Sequence, residues 1–175
     1  MIKKFPFLLK ILLIQLIYSL LHFLYDWFPN SFTAIFSGID DSIYQHMKMC
    51  FYSYIIFALL EYALTRKSLV QGRQFLFSRL FSATYFPLVM VIIYLFAPLV
   101  FGRMESIALE VIYANIALFV SSSFTLVVED QLEKTKPGSL FILVTVTLFV
   151  ISLVQYITFT YKLPWIDIFS IPPPR

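Results

Sequence analysis

The chain has 175 residues, of which 60% are hydrophobic and only 13% are charged. Soluble domains carry roughly a quarter charged residues, so this composition excludes an ordinary water-soluble fold and predicts an integral membrane protein in a lipid bilayer. The single cysteine excludes a disulfide scaffold, and the net charge of +3 needs no nucleic-acid partner, because membrane proteins concentrate basic residues in cytoplasmic loops.

Five apolar stretches follow one another along the chain, and a transmembrane helix needs about 20 mainly apolar residues. The stretches are continuous, which favours helices over the alternating strands of a membrane barrel. We therefore predict an all-α fold, a polytopic membrane helix bundle that forms a single domain over 1–175 with five transmembrane helices. The predicted spans cover about 6–27, 46–65, 80–102, 105–128 and 138–161.

The distribution of lysine and arginine predicts the orientation, because positively charged loops stay in the cytoplasm. With the N-terminus inside and five spans, the C-terminus lies outside. Four basic residues then fall on the outer face, namely Lys48, Arg103, Lys162 and Arg175. The other nine fall on the inner face, namely Lys3, Lys4, Lys10, Arg66, Lys67, Arg73, Arg79, Lys134 and Lys136.

The polar residues of the first two spans gather at the predicted outer side. His22 and Asp26 are four residues apart and share one face of the first helix. His46 opens the second helix at the same depth. Ionisable groups in or near hydrocarbon are costly and mark candidate functional positions. We therefore expect an outward-facing cavity lined by these three residues, with Glu110 of the fourth span as a further lining residue.

Three uses of this cluster stay open. Two imidazoles and a carboxylate match a divalent metal site, with His22, Asp26 and His46 as ligands. The same groups could relay protons, because histidine titrates near neutrality. In the purely structural alternative, His22 and Asp26 satisfy each other while Asp40, Asp41 and Ser42 cap the second helix. The candidate ligand-binding residues are His22, Asp26, Asp41, His46, Lys48 and Glu110.

Two features away from this cluster also carry expectations. Glu61 lies 15 residues beyond His46, which is about 22 Å along a helix, so we expect it near the cytoplasmic surface in an ion pair with Arg66 or Lys67. Pro87 and Pro98 share nearly one face of the third span, where they indicate either curvature that suits packing or a hinge in a transport cycle.

The stretch from His22 to Tyr62 resembles an uncharacterised family of small prokaryotic multi-pass membrane proteins. The family pattern is His-Phe-x-Tyr-Glu-Trp, then Asn-Glu-Ser-x-Trp-Glu-His-x-Lys, then Glu-Tyr. The matching residues are His22, Phe23, Tyr25, Asp26 and Trp27, then Asp40, Asp41, Ser42, Tyr44, Gln45, His46 and Lys48, then Glu61 and Tyr62. Phe159, Thr160, Tyr161 and Pro164 resemble its C-terminal stretch. Gln45 departs from the pattern by replacing a carboxylate, and Asp40 by replacing an amide.

The resemblance implies a protein of a prokaryotic cytoplasmic membrane with an outward-facing histidine and acid motif, and it implies no reaction. Our leading hypothesis is binding or translocation of a small polar solute, a proton or a metal ion at this cluster. The alternatives are a metal-dependent hydrolase at the outer interface and a non-catalytic subunit that binds another membrane protein or a second copy of the chain.

Overall fold

The computed structural model describes residues 5–68, 72–102, 106–164 and 167–169, and these ranges contain helices and no strands. Five of the six α-helices are long and apolar enough to cross a membrane, which confirms the prediction of an all-helical, multi-pass fold. The helices are α1 (Phe7–Trp27), α2 (Ser31–Phe36), α3 (Ile43–Thr65), α4 (Gly72–Phe101), α5 (Ile107–Lys134) and α6 (Ser139–Tyr161), with short 3-10 turns at Arg66–Ser68 and Asp167–Phe169.

The short helix α2 lies in the connection between the first two spans and was not predicted. Asn30 begins it, because its side chain accepts hydrogen bonds from the backbone amides of Phe32 and Thr33. The Thr33 hydroxyl in turn accepts from the Asn30 amide at 3.3 Å, which completes a capping box. Near the other end of α2, the ammonium group of Lys48 donates to the carbonyl of Ala34 at 2.7 Å. A positive group there complements the helix dipole.

Helix α3 occupies the centre of the bundle and packs against α1 and α4. It begins at Ile43 because the Ser42 hydroxyl accepts from the amide of Gln45, while the Asp40 carboxylate accepts from the amide of Ser42 at 2.9 Å. This start places His46 in the first turn of the helix. In the most apolar 18-residue stretch of α3, half of the residues are buried inside the protein, whereas the corresponding share in α6 is 11%.

Helix α4 begins eight residues before the predicted span and continues through both internal prolines. Immediately before Pro98, the hydroxyl of Tyr113 from α5 donates to the carbonyl of Ile93 at 2.6 Å and accepts from the amide of Ala97 at 3.2 Å. A side chain that enters the backbone ladder beside a proline is a recognised cause of helix bending. The helix ends at Phe101 and is followed by Gly102, whose φ of 75° favours glycine.

The outer surface of the bundle is apolar along α4, α5 and α6. Leu99, Leu140 and Ile92 each expose more than 70% of their surface. Contiguous apolar surface of this extent is unstable in water, whereas lipid tails solvate it. The described residues therefore fit an integral multi-pass membrane protein.

Antiparallel packing brings polar residues together at the two ends of the bundle. The end of α1 and the start of α3 meet where the Tyr18 hydroxyl contacts His46, and we call this the histidine end. At the opposite end lies a group of ionised side chains from α1, α3, α4 and α5, which we call the charged cluster: Lys10, Glu61, Arg79, Glu129 and Glu133. Which end faces the cytoplasm stays a prediction.

Candidate functional site

The two histidines lie side by side at the histidine end. Their ring centroids are 5.8 Å apart, because His22 sits little more than a turn before the end of α1 and His46 lies in the first turn of α3. The Nδ1 atom of His22 is buried and has no hydrogen-bond partner in the described part of the chain. Two imidazoles at this separation can share a ligand.

Tyr18 fixes the orientation of the His46 ring. The tyrosine side chain is buried one turn below His22 on α1, and its hydroxyl lies 2.8 Å from Nδ1 of His46. Metal-binding histidines ordinarily use their second ring nitrogen in such a hydrogen bond, which sets the tautomer and the direction of the ligating nitrogen. In the tautomer in which Nδ1–H of His46 donates to the Tyr18 oxygen, Nε2 of His46 is left as the ligand atom.

Asp41 completes the group from the loop that precedes α3. One of its carboxylate oxygens is 3.9 Å from Nε2 of His22, and its side chain is 78% exposed. One ligand atom each from His22, Asp41 and His46 lies within 4.8 Å of the others. We call these three residues the histidine site. Ligand atoms of a tetrahedral zinc site are about 3.4 Å apart, and the exposed Asp41 side chain can rotate toward an ion held by the two imidazoles.

Asp26, which the sequence placed among the metal ligands, is exposed and is not a member of this group. It follows His22 by one helical turn toward the end of α1, whereas Tyr18, which contacts His46, precedes His22 by one turn. On this face of α1, Tyr18 and Asp26 therefore lie on opposite sides of His22 along the helix axis, and only Tyr18 lies on the side that contacts His46.

Glu110 and Lys48 lie near the same end in different surroundings. Glu110 accepts a hydrogen bond from the hydroxyl of Tyr94 on α4 at 3.2 Å and is within electrostatic range of His46. Lys48 is completely buried on another side of α3, where it donates to Ala34 and, at 3.2 Å, to the hydroxyl of Thr160 on α6. The position of Lys48 indicates that it joins α2, α3 and α6.

The charged cluster was only partly anticipated by the sequence. Glu61 is 3% exposed and pairs with Lys10 at 2.6 Å and with Arg79 at 2.7 Å. These partners come from α1 and α4, whereas we expected Arg66 or Lys67 from the turn after α3. Arg79 also pairs with Glu133 at 2.8 Å and with Glu129 at 3.4 Å.

The charged cluster therefore ties four helices together by buried ion pairs. Its side chains range from 2% to 17% exposed, which is unusual for ionised groups. A cavity of about 260 Å³ adjoins it and is lined by Lys10, Glu129, Glu133, Asp130, Leu126, Phe5 and Phe7. The sequence contained one signal for this cluster: four of the predicted spans carry charged residues near their predicted cytoplasmic ends.

Comparison with known proteins places the chain in a family. Residues 2–171 match a family described as "Family of unknown function (DUF6512)". No curated protein and no solved structure matches the chain. The match spans nearly the whole sequence and agrees with the resemblance to an uncharacterised family, while the detailed motif pattern stays a prediction. The chain belongs to DUF6512, a family of unknown function.

Proposed function

We propose that the protein binds a divalent transition-metal ion at the histidine site, through His22, His46 and Asp41. The observation that carries the proposal is the convergence of two imidazoles and a carboxylate within 4.8 Å, from the end of α1 and the start of α3. Nitrogen and oxygen donors in this combination suit zinc and neighbouring metals. Hard cations such as calcium prefer all-oxygen sites.

The surroundings support a ligand-binding role. Tyr18 holds the His46 ring in place before a metal arrives, and the buried Nδ1 atom of His22 lacks a hydrogen-bond partner among the described residues. Asp41 is exposed, and the side chain of His22 is 36% exposed, so an ion can reach the site from the aqueous phase at this end. With the predicted orientation, metal capture would take place on the non-cytoplasmic face.

A hydrolase is the second candidate. Three protein ligands leave a coordination position for water, which is how catalytic zinc sites are built, and Glu110 is a carboxylate within electrostatic range of His46. Cleavage of a lipid head group or peptide by the zinc-loaded protein, lost in Glu110→Gln while zinc still binds, would support this alternative.

Metal binding is tested by titrating Zn²⁺ into the detergent-purified, metal-stripped protein by calorimetry. We expect one ion per chain, with binding lost in His22→Ala and His46→Ala and weakened in Asp41→Asn. Asp26→Asn is the matched control, since this exposed carboxylate lies outside the group, and it should bind like the wild type. Wild-type protein that takes up no zinc, or histidine variants that bind it unchanged, would overturn the proposal.

A further inference from the structure

We propose that the protein also conducts protons between the histidine site and the charged cluster, along a line of buried polar side chains through the bundle. This is a separate activity from metal binding, and apart from His46 it uses residues that do not belong to the histidine site. The line begins at Tyr18 and His46, continues through Cys50 and Tyr54 of α3 and Ser82 of α4, and ends at Arg79, Glu61 and Glu129.

Two hydroxyls in the middle of the bundle indicate that water enters there. Tyr54 and Ser82 are completely buried, and neither hydroxyl has a hydrogen-bond partner in the described part of the chain. Buried polar groups are almost always hydrogen-bonded, and internal water is the usual partner where protein groups are missing. Water bound by these hydroxyls would lie between the two polar ends.

The path on α3 follows one helix face. His46, Cys50 and Tyr54 are spaced four residues apart, so they lie above one another with about 6 Å of rise between them. Cys50 and Tyr54 are both completely buried. Below Tyr54 the ring of Phe57 is in contact at 5.9 Å between centroids, which interrupts the polar face of α3 before Glu61.

Helix α4 provides the continuation past Phe57. Tyr54 packs against Phe86 of α4 with ring centroids 6.2 Å apart. Ser82 lies one turn from Phe86 toward the charged cluster, and Arg79 is about one further turn along. Arg79 then contacts Glu61 at 2.7 Å. Along the bundle axis, the Ser82 hydroxyl therefore lies between Tyr54 and the Arg79–Glu61 ion pair.

Helix α5 lines the same interval with polar side chains. Ser121, Thr125 and Glu129 share one face at four-residue spacing, and each is at most 1% exposed. The Ser121 hydroxyl lies 3.7 Å from the sulfur of Met90, so this face is directed at α4. The hydroxyls of Ser121 and Thr125 donate to carbonyls of their own helix, and their oxygens can still accept from a passing water.

The transfer itself makes and breaks only O–H and N–H bonds, and the S–H bond of Cys50. A hydroxyl or water oxygen accepts a proton from one neighbour and releases its own proton to the next, so each group is restored when the chain of hydrogen bonds reorients. A rise of about 6 Å between successive side chains exceeds a hydrogen bond of about 2.8 Å, so one water must bridge each step. The cavity beside Lys10 and Glu129 gives the cluster access to further water.

The test uses the full chain in vesicles that contain a pH-sensitive dye, with a potassium gradient and valinomycin to drive proton entry. We expect wild-type protein to acidify the interior faster than protein-free vesicles do. Tyr54→Phe and Ser82→Ala should each return the rate to that of protein-free vesicles. Ser123→Ala is the matched control, since this partly exposed serine of α5 bonds to the Phe119 carbonyl of its own helix and lies off the Ser121–Thr125–Glu129 face, and it should conduct like the wild type.

Both path variants remove only a hydroxyl that has no partner among the described residues, so we expect them to fold; a single symmetrical elution peak and unchanged zinc binding would verify this. Absence of wild-type flux would overturn the proton proposal and leave metal binding standing. Flux that persists in both path variants would also overturn it. Flux that is lost in the path variants while zinc still binds would support it independently of the proposed function.

Discussion

The ammonium nitrogen of Lys10 lies 3.2 Å from a carboxylate oxygen of Glu129, although 119 residues separate the two in the chain. This pair joins α1 to α5, and the contacts of Arg79 with Glu61 and Glu133 join α4 to α3 and α5. A buried charge that loses its partner is left in a medium that solvates it poorly. The charged cluster therefore makes the arrangement of four helices depend on each of its members.

We expect Arg79→Ala to lower the free energy of unfolding by about 3–5 kcal/mol, the usual effect of breaking a buried ion pair. The substitution removes the ion-pair contacts of Arg79 with Glu61, Glu129 and Glu133. Unfolding by denaturant in detergent micelles measures the change. The control is Lys134→Ala, which breaks an exposed pair with Asp130 and should lower stability by about 0.5 kcal/mol at most. Equal effects in the two variants would contradict a structural role for the cluster.

Tyr18→Phe should weaken zinc binding about 10- to 100-fold, the effect typical of losing a group that orients a metal ligand. The ring stays in place while the hydrogen bond to His46 is lost. Calorimetric titration compares this variant with Tyr161→Phe, whose hydroxyl donates to the carbonyl of Ser31 at the same end of the bundle. Zinc affinity that is unchanged in Tyr18→Phe would show that the tyrosine does not position His46 for a metal.

Zinc affinity should fall as the pH is lowered through the range in which imidazoles titrate. Metal and protons compete for the same ring nitrogens, and a free imidazole has a pKa of about 6.5. With two histidines as ligands, the affinity should fall more steeply with decreasing pH than it would with one. Titrations between about pH 5.5 and 7.5 measure the slope, and a pH-independent affinity would argue against imidazole ligands.

Lys48→Met should preserve zinc binding and cost about 1–3 kcal/mol, because the buried Ala34 carbonyl loses its donor. Lys48→Ala should cost more than Lys48→Met, because it also leaves a cavity that the methionine side chain would fill. Unfolding curves and zinc titrations of both variants test this. Loss of zinc binding in Lys48→Met would instead place Lys48 in the site.

Tyr113→Phe should destabilise the protein by about 1 kcal/mol, the usual net contribution of a hydrogen bond. Its hydroxyl contacts the backbone of α4 at Ile93 and Ala97, beside Pro98. The measurement is unfolding in detergent, with the exposed Tyr62→Phe as control. If both variants unfold like the wild type, the hydroxyl does not support the α4 backbone at this proline.

The five long helices were predictable from the sequence because the requirement for them is local. Each must be long and apolar enough to cross the hydrocarbon by itself, and this property can be read from a single segment. Helix α2 escaped prediction because six residues are too few for a periodic signal, although Asn30 followed three residues later by Thr33 is consistent with its capping box.

The two polar ends required information that no single segment contains. Arg79 pairs with Glu133 only because α4 and α5 pack antiparallel in one particular register, and that register depends on packing across the bundle. Near His22, helical spacing correctly indicated that Asp26 shares its face. Spacing within α1 could not indicate that Asp41 would reach His22 from another part of the chain.

The hydrogen bonds that join α6 to other described helices all lie in its C-terminal third. They run from Tyr44 to the Gln155 carbonyl, from Lys48 to Thr160, and from Tyr161 to the Ser31 carbonyl. At the other end, Phe141 makes ring contacts with Phe77 and Phe81, and lipid tails can replace such apolar contacts at little cost. If α6 separates from its neighbours, the separation should therefore start at Ser139, where lipid acyl chains can enter between the helices. The Tyr161 end should stay attached through its hydrogen bonds.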